Sequence, residues 1–219
     1  MTVGQIKIEA LRLMFAADLD PLISPKNIAD YETDGQYGDY LSAMTGSINR
    51  AINDIVSRRI LPEKALEIPA GTGSTRYGNR RLNLSEYPYI YDVSRVIAES
   101  DRGYDGAHPF RMEGRTVLLL GADAEASYTL LYYPRVTEVQ TWENERDLAI
   151  SDPENGIHAI PDEIASLIPY FVKGELYRQD EAGDASEAMS WYEQRLAALS
   201  PYNTGTQTHV ASTYSQVLL

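Results

Sequence analysis

The chain has 219 residues, 43% of them hydrophobic and 23% charged, which is enough for a sizeable core in one large domain or two small ones. It has no cysteine, so disulfides, thiolate metal sites and cysteine nucleophiles are excluded. Lys and Arg total 19 against 32 Asp and Glu, and the formal net charge of −13 repels phosphate and disfavours simple nucleic-acid binding.

The charge is uneven. Val56 to Arg81 holds six basic and two acidic residues, a net of +4, whereas Glu138 to Glu154 holds six acidic residues and one base, a net of −5. Opposite patches of this kind suit head-to-tail packing of subunits, and equally suit scattered surface charge. Met1-Thr2-Val3-Gly4-Gln5 lacks the basic stretch and apolar run of a signal peptide. No segment reaches the roughly 18 apolar residues of a membrane helix, so the expectation is a soluble cytoplasmic chain.

Taken in order, Thr2 and Gln5 have capping-box spacing, and Ile6, Ala10, Leu13 and Met14 fall on one face, predicting a helix that ends near Asp18. Residues 18–35, with Pro21, Pro25 and Gly35, read as a loop. A second helix is expected from Tyr37 to Ile60, with Leu41, Met44, Ile48, Ala51, Ile52 and Ile55 as its apolar stripe. Arg50–Asp54 and Asp54–Arg58 are its opposite-charge pairs, and Pro62 is its stop.

From Ala65 to Pro134 the pattern becomes strand-like. Tyr87-Pro-Tyr-Ile-Tyr91 alternates, and Val93–Ala98, Thr116–Leu120 and Ser127–Tyr133 are further strand candidates. Glu113-Gly114 suits a hairpin turn. Helices resume at Pro161, with Ile164, Leu167, Ile168, Phe171 and Leu176 as apolar face and a kink expected at Pro169. After a break at Gly183, Asp184 and Glu187 cap a last helix lined by Ala188, Trp191, Tyr192, Leu196 and Leu199. Residues 202–219 keep no helical period and read as an extended arm whose apolar members are Val210, Tyr214, Val217, Leu218 and Leu219. Such an arm can add to a partner's sheet edge, the alternative being a frayed tail.

The resulting fold class is α+β: mainly an antiparallel helical bundle with an inserted small antiparallel β-sheet and an extended C-terminal arm. Its parts are N-terminal helices of the bundle (1–64), a β-rich insertion (65–135), an acidic linker with the C-terminal helices (136–200), and the arm (201–219).

Motifs for chemistry are absent or incomplete. Gly71-Thr-Gly73-Ser-Thr-Arg-Tyr-Gly78 lacks the Lys-Ser/Thr of a phosphate loop and carries Arg76 where a dinucleotide loop needs Gly, so a flexible turn is favoured. Arg76, Arg80 and Arg81 remain candidates for contact with a passing DNA backbone or a partner carboxylate. His108, His158 and His209 have no metal spacing. Asp101-Arg-Gly-Tyr-Asp105-Gly106 fails as a calcium loop at its third and twelfth positions. No Gly-x-Ser-x-Gly elbow exists. The expectation is a non-enzymatic chain without cofactor or metal. Tyr87, Tyr89, Tyr91, Tyr104, Tyr128, Tyr132 and Tyr133 cluster in the middle region, so a carbohydrate- or receptor-binding sheet is the alternative function.

Three stretches carry a family resemblance. Thr2-Val-Gly-Gln-Ile-Lys-Ile-Glu-Ala-Leu-Arg-Leu13 is one, and Ser42-Ala-Met-Thr-Gly-Ser-Ile-Asn-Arg-Ala-Ile-Asn-Asp-Ile-Val-Ser-Arg-Arg59 is the second. The third runs from Ile160 to Glu181 and on through Ala185–Leu199. They resemble the first, second and last helices of the head-to-tail adaptor (neck or connector) proteins of tailed bacteriophages, over about half the chain. The resemblance implies a structural protein that forms a ring of about twelve copies below the portal, extends the DNA channel and joins the portal to tail, nozzle or stopper proteins. It further implies a place in the virion neck, passing DNA held without sequence specificity, host cytoplasm during assembly, no membrane, and an arm that docks on the portal.

Overall fold

The structure, a computed structural model, describes residues 1–15, 19–33, 35–98, 107–122, 125–152, 156–178 and 180–199. It is a mixed α+β protein with five α-helices and two antiparallel sheets among the described residues, and a two-stranded ribbon besides.

Helix α1 (Val3–Phe15) opens with the expected box: the Thr2 N–H donates to Gln5 Oε1 at 2.8 Å and the Gln5 N–H to Thr2 Oγ1 at 3.2 Å. The Val3 and Gly4 N–H groups donate to the Arg146 and Asn144 carbonyls at 2.9 and 2.7 Å, so the free donors of the first turn are all taken. The segment that supplies these carbonyls wraps the helix. As a result α1 is buried nearly all round, Val3, Lys7, Ile8 and Leu11 joining Ile6, Ala10 and Met14, while Leu13 of the predicted face is half-buried. Lys7 donates to the Thr141 carbonyl at 3.2 Å. Burial pushes its pKa below the usual lysine value, with Glu32 pulling the other way. The predicted end near Asp18 lies outside the described residues.

Helix α2 (Gly38–Ser57) buries all six residues of its predicted stripe. It stops three residues early because Arg59 turns left-handed at φ +57° and its N–H returns to the Val56 carbonyl, ahead of Pro62. Arg58 pairs with Asp54 at 3.0 Å as expected, but Arg50 turns from Asp54 to Glu175 at 2.5 Å, while also donating to Ser47 Oγ at 3.1 Å.

The β region is larger than the single small sheet expected. Strands β1 (Lys64–Ile68), β4 (Ile90–Ala98) and β7 (Tyr128–Pro134) form one sheet in the order β1-β7-β4. Strands β2 (Ser74–Arg76), β3 (Asn79–Asn83), β5 (Phe110–Glu113) and β6 (Thr116–Leu119) form a second, ordered β2-β3-β6-β5. Leu66, Val93, Val96 and Leu130 of the first sheet share a core with Leu82, Val117 and Leu119 of the second. The Glu113-Gly114 turn forms, with φ +59° at Gly114 and Glu113 paired to Thr116, the pattern of a II′ hairpin. Residues 87–89 are not strand. Pro88 has no N–H to give a ladder, and Tyr87 and Ile90 close a turn in which the Ile90 N–H donates to the Tyr87 carbonyl at 3.0 Å.

The acidic stretch is docked rather than a linker. Asn49 on α2 both donates to and accepts from the backbone of Val139, at 3.0 and 2.9 Å. Leu148 and Ile150 are buried, the latter in ribbon strand β8 (Ala149–Asp152), which pairs with β9 (Gly156–Ala159).

The last helical block breaks in two. Pro161 precedes α3 (Asp162–Ala165), and Pro169 lies in the first turn of α4 (Ile168–Leu176), where its missing N–H costs nothing. The chain therefore interrupts before Pro169 instead of kinking at it. Helix α5 (Ala182–Leu199) begins ahead of Gly183, and Asp184 turns to Lys173 at 3.4 Å instead of capping. Helix α4 touches α1, α2 and α5 and is the centre of the helical core. Arg58 forks onto Glu193 of α5 at 2.6 and 2.7 Å, holding the carboxyl below its usual range. Arg59 joins this part to the sheets through Asp92 and the face of Tyr133.

Candidate interaction surfaces

The glycine-rich segment 71–78 is built into a hairpin. Strands β2 and β3 are joined by Tyr77-Gly78, both with positive φ, as a two-residue I′ turn requires. Gly73 has φ +86°, and a Cβ there would lie 2.3 Å from the Arg81 carbonyl oxygen. The glycines thus answer to backbone geometry. Gly73→Ala is expected to cost about 3 kcal/mol through left-handed strain and this clash, and Gly71→Ala, in open space, about 1 kcal/mol. Urea unfolding of the two variants checks this; equal losses would show that the hairpin does not close on Gly73.

The three candidate arginines part company. Arg80 is only 1% exposed, and its guanidinium donates to the Thr72 carbonyl at 2.5 Å, to Ala126 at 2.7 Å and to Pro69, with the Tyr128 ring beneath it. It cannot reach DNA or a partner, so that reading is corrected: Arg80 holds the loops before β2 and β7 to β3. Arg81 is half-buried and faces Glu113; the side chain of Arg76 lies outside what is described. Elsewhere in the basic stretch Arg58 is held by Asp54 and Glu193 and Arg59 by Asp92. On the acidic side Glu143 pairs with Arg146 at 2.7 Å, while Glu138, Glu145 and Asp147 are exposed.

The tyrosines of the middle region are mostly core. Tyr89, Tyr128, Tyr132 and Tyr133 are buried, Tyr87 and Tyr91 half-buried, and only Tyr77 at the β2–β3 turn is strongly exposed among the described ones. A sugar platform on that sheet has little ring surface left to offer. His108 packs edge-on against Tyr128 with centroids 4.8 Å apart. Among the described residues no three metal-ligating side chains gather, and no helix is long and apolar enough to cross a membrane. The Asp101–Gly106 segment, Tyr104, His209 and the arm residues Val210, Tyr214, Val217, Leu218 and Leu219 lie outside the described residues.

The described residues also form a concavity with no signature in the sequence. It is a groove of about 670 Å³ between α1, the α3–α4 junction and α5, floored by Leu13, Leu167, Pro169, Tyr170, Trp191 and Leu199. Glu9, Glu163 and Arg195 stand among its lining. Trp191 stacks on Tyr170 at 5.9 Å and 14°, and the Arg195 guanidinium lies over the Trp191 ring, 4.8 Å from its centre. The sequence pattern put Trp191 beside Tyr192 on the buried face. Neighbours on a helix point about 100° apart, so when Tyr192 takes the core, Trp191 is turned to the rim and stays 43% exposed. No family model matches the chain, and no curated protein matches it.

Proposed function

We propose that this chain is a structural subunit of a tailed-phage head-to-tail adaptor, acting by assembly and not by catalysis. In this reading the subunits form a ring of about twelve beneath the portal, line and extend the DNA channel, and present a surface to tail components. Helices α1, α2, α4 and α5 are its bundle, the two sheets its insertion, and residues 201–219 the arm that docks on the portal.

One observation carries the reading. The three stretches that resemble the adaptor family are far apart in sequence, yet they supply α1, α2 and α4–α5, which pack on one another around α4 in a single core. That convergence supports treating them as one module, separate from the sheet core. The acidic balance of the chain suits a channel through which DNA must slide without sticking.

The test is to mix the purified chain with portal protein and follow particle mass and ring images. The expected result is a ring seated on the portal, lost when residues 201–219 are removed while far-UV circular dichroism stays the same. A chain that remains a single subunit with portal and tail proteins present would overturn the reading.

A further inference from the structure

We propose that, in the free subunit, the groove between α1, α4 and α5 is occupied by residues 201–219 of the same chain.

The chain leaves α5 inside this groove, since Leu199, the last residue of the helix, is part of its lining. The 19 residues 201–219 contain no Asp, Glu, Lys or Arg, in a protein of net charge −13. An acidic peptide would meet Glu9 and Glu163, whereas this segment brings no Asp or Glu side chain to them. It also brings Val210, Tyr214, Val217, Leu218 and Leu219, apolar side chains that suit a floor of Leu13, Leu167, Tyr170 and Trp191. Reach is sufficient. Extended at about 3.3 Å per residue the segment spans on the order of 60 Å, twice the roughly 27 Å of an 18-residue helix such as α5. Because it is tethered at the groove's edge, its effective concentration is in the millimolar range, so a neighbour's copy competes poorly with it.

Docking on a portal would then begin with release of the arm from its own groove. The inference does not depend on that partner: it concerns the isolated subunit and is tested without one.

The chain has two tryptophans, Trp142, which is 78% exposed, and Trp191 in the groove. In a Trp142→Phe background Trp191 is the sole reporter. Removing residues 201–219 should shift its emission to the red and raise its quenching by acrylamide. Adding the 201–219 peptide at high concentration should reverse both changes. The full-length double variant Val217→Glu, Leu218→Glu should mimic the truncation, and it serves alone if the truncated chain fails to fold. The full-length signal should not vary with protein concentration. Trp191 emission that is the same with and without the segment, or in the double variant, overturns the proposal. So does a signal that moves only as concentration rises, which would assign the groove to a second copy. Loss of portal binding with an unchanged Trp191 would refute the groove and leave the adaptor reading standing; the converse would do the opposite.

Discussion

Replacing Arg80 by Met is expected to destabilise the protein by about 4 kcal/mol, read from the urea unfolding midpoint and slope. Methionine keeps most of the length and apolar body of the side chain, so packing changes little. What it removes is the set of donors to the Thr72, Ala126 and Pro69 carbonyls. Each is part-buried beside a side chain that is itself sealed from water, and each would lose a charge-assisted bond at once. Arg80→Lys should recover roughly half of the loss, because one ammonium cannot match three acceptors arranged around a planar fork. A cost for Arg80→Met below about 1 kcal/mol would mean that water replaces the guanidinium. Arg80 would then return to the candidates for partner contact.

The helical part of this fold was legible because its signals are local and periodic. The Thr2–Gln5 box and the stripe from Leu41 to Ile55 need only residues three or four apart, and both form as predicted. The β part was legible as a region and poorly as strands. β1 pairs with β7 across sixty residues or more, and β3 reads Asn-Arg-Arg-Leu-Asn, a sequence with no strand pattern of its own. It is a strand because Arg80 can be buried, and Arg80 can be buried because three carbonyls from other loops converge on it. That is a tertiary fact with no local trace. Lys7 illustrates the same limit. A lysine ordinarily lies at the surface, but the segment 139–147, which is pinned by Asn49 and by the first N–H groups of α1, folds over this one. Among the candidate sites, Arg80 was misassigned for this reason. The groove was missed because it is made where three helices meet, and no one of them carries its pattern.

Alkali is expected to unfold this protein steeply above pH 10. Three tyrosines of the helical part use their hydroxyls as donors: Tyr192 to Asp54 at 2.8 Å, Tyr177 to the Met14 carbonyl at 2.5 Å and Tyr40 to Asp180 at 2.8 Å. Ionisation would take away each donor and set a negative charge against an acceptor. For Tyr192 burial is the main cause that raises the pKa, followed by the bond to Asp54. For Tyr177 it is burial with the nearby carboxylates. For Tyr40 it is the bond to Asp180, which brings the value to about 12. In the unfolded chain the same phenols lose their protons near pH 10. Above that pH the unfolded state holds fewer protons than the folded one, so stability falls by about 1.4 kcal/mol per pH unit for each tyrosine kept protonated. The stabilisation is thus fully present below pH 10 and is lost as pH climbs toward the folded-state values. Tyr192 is buried and has the larger upward shift of the two, so it should bring the slope toward about 1.4 kcal/mol per pH unit, with Tyr177 adding in the same direction. Tyr192→Phe should lose about 1 to 2 kcal/mol at pH 7, where the hydrogen bond to Asp54 is missing. Above pH 10 the same variant should show a shallower slope than the parent, by one tyrosine's share. Urea unfolding at half-unit steps from pH 7 to 11 reads both effects. Parallel slopes for parent and variant would show that Tyr192 is already free to ionise in the folded protein, and that the Asp54 contact does not hold its proton.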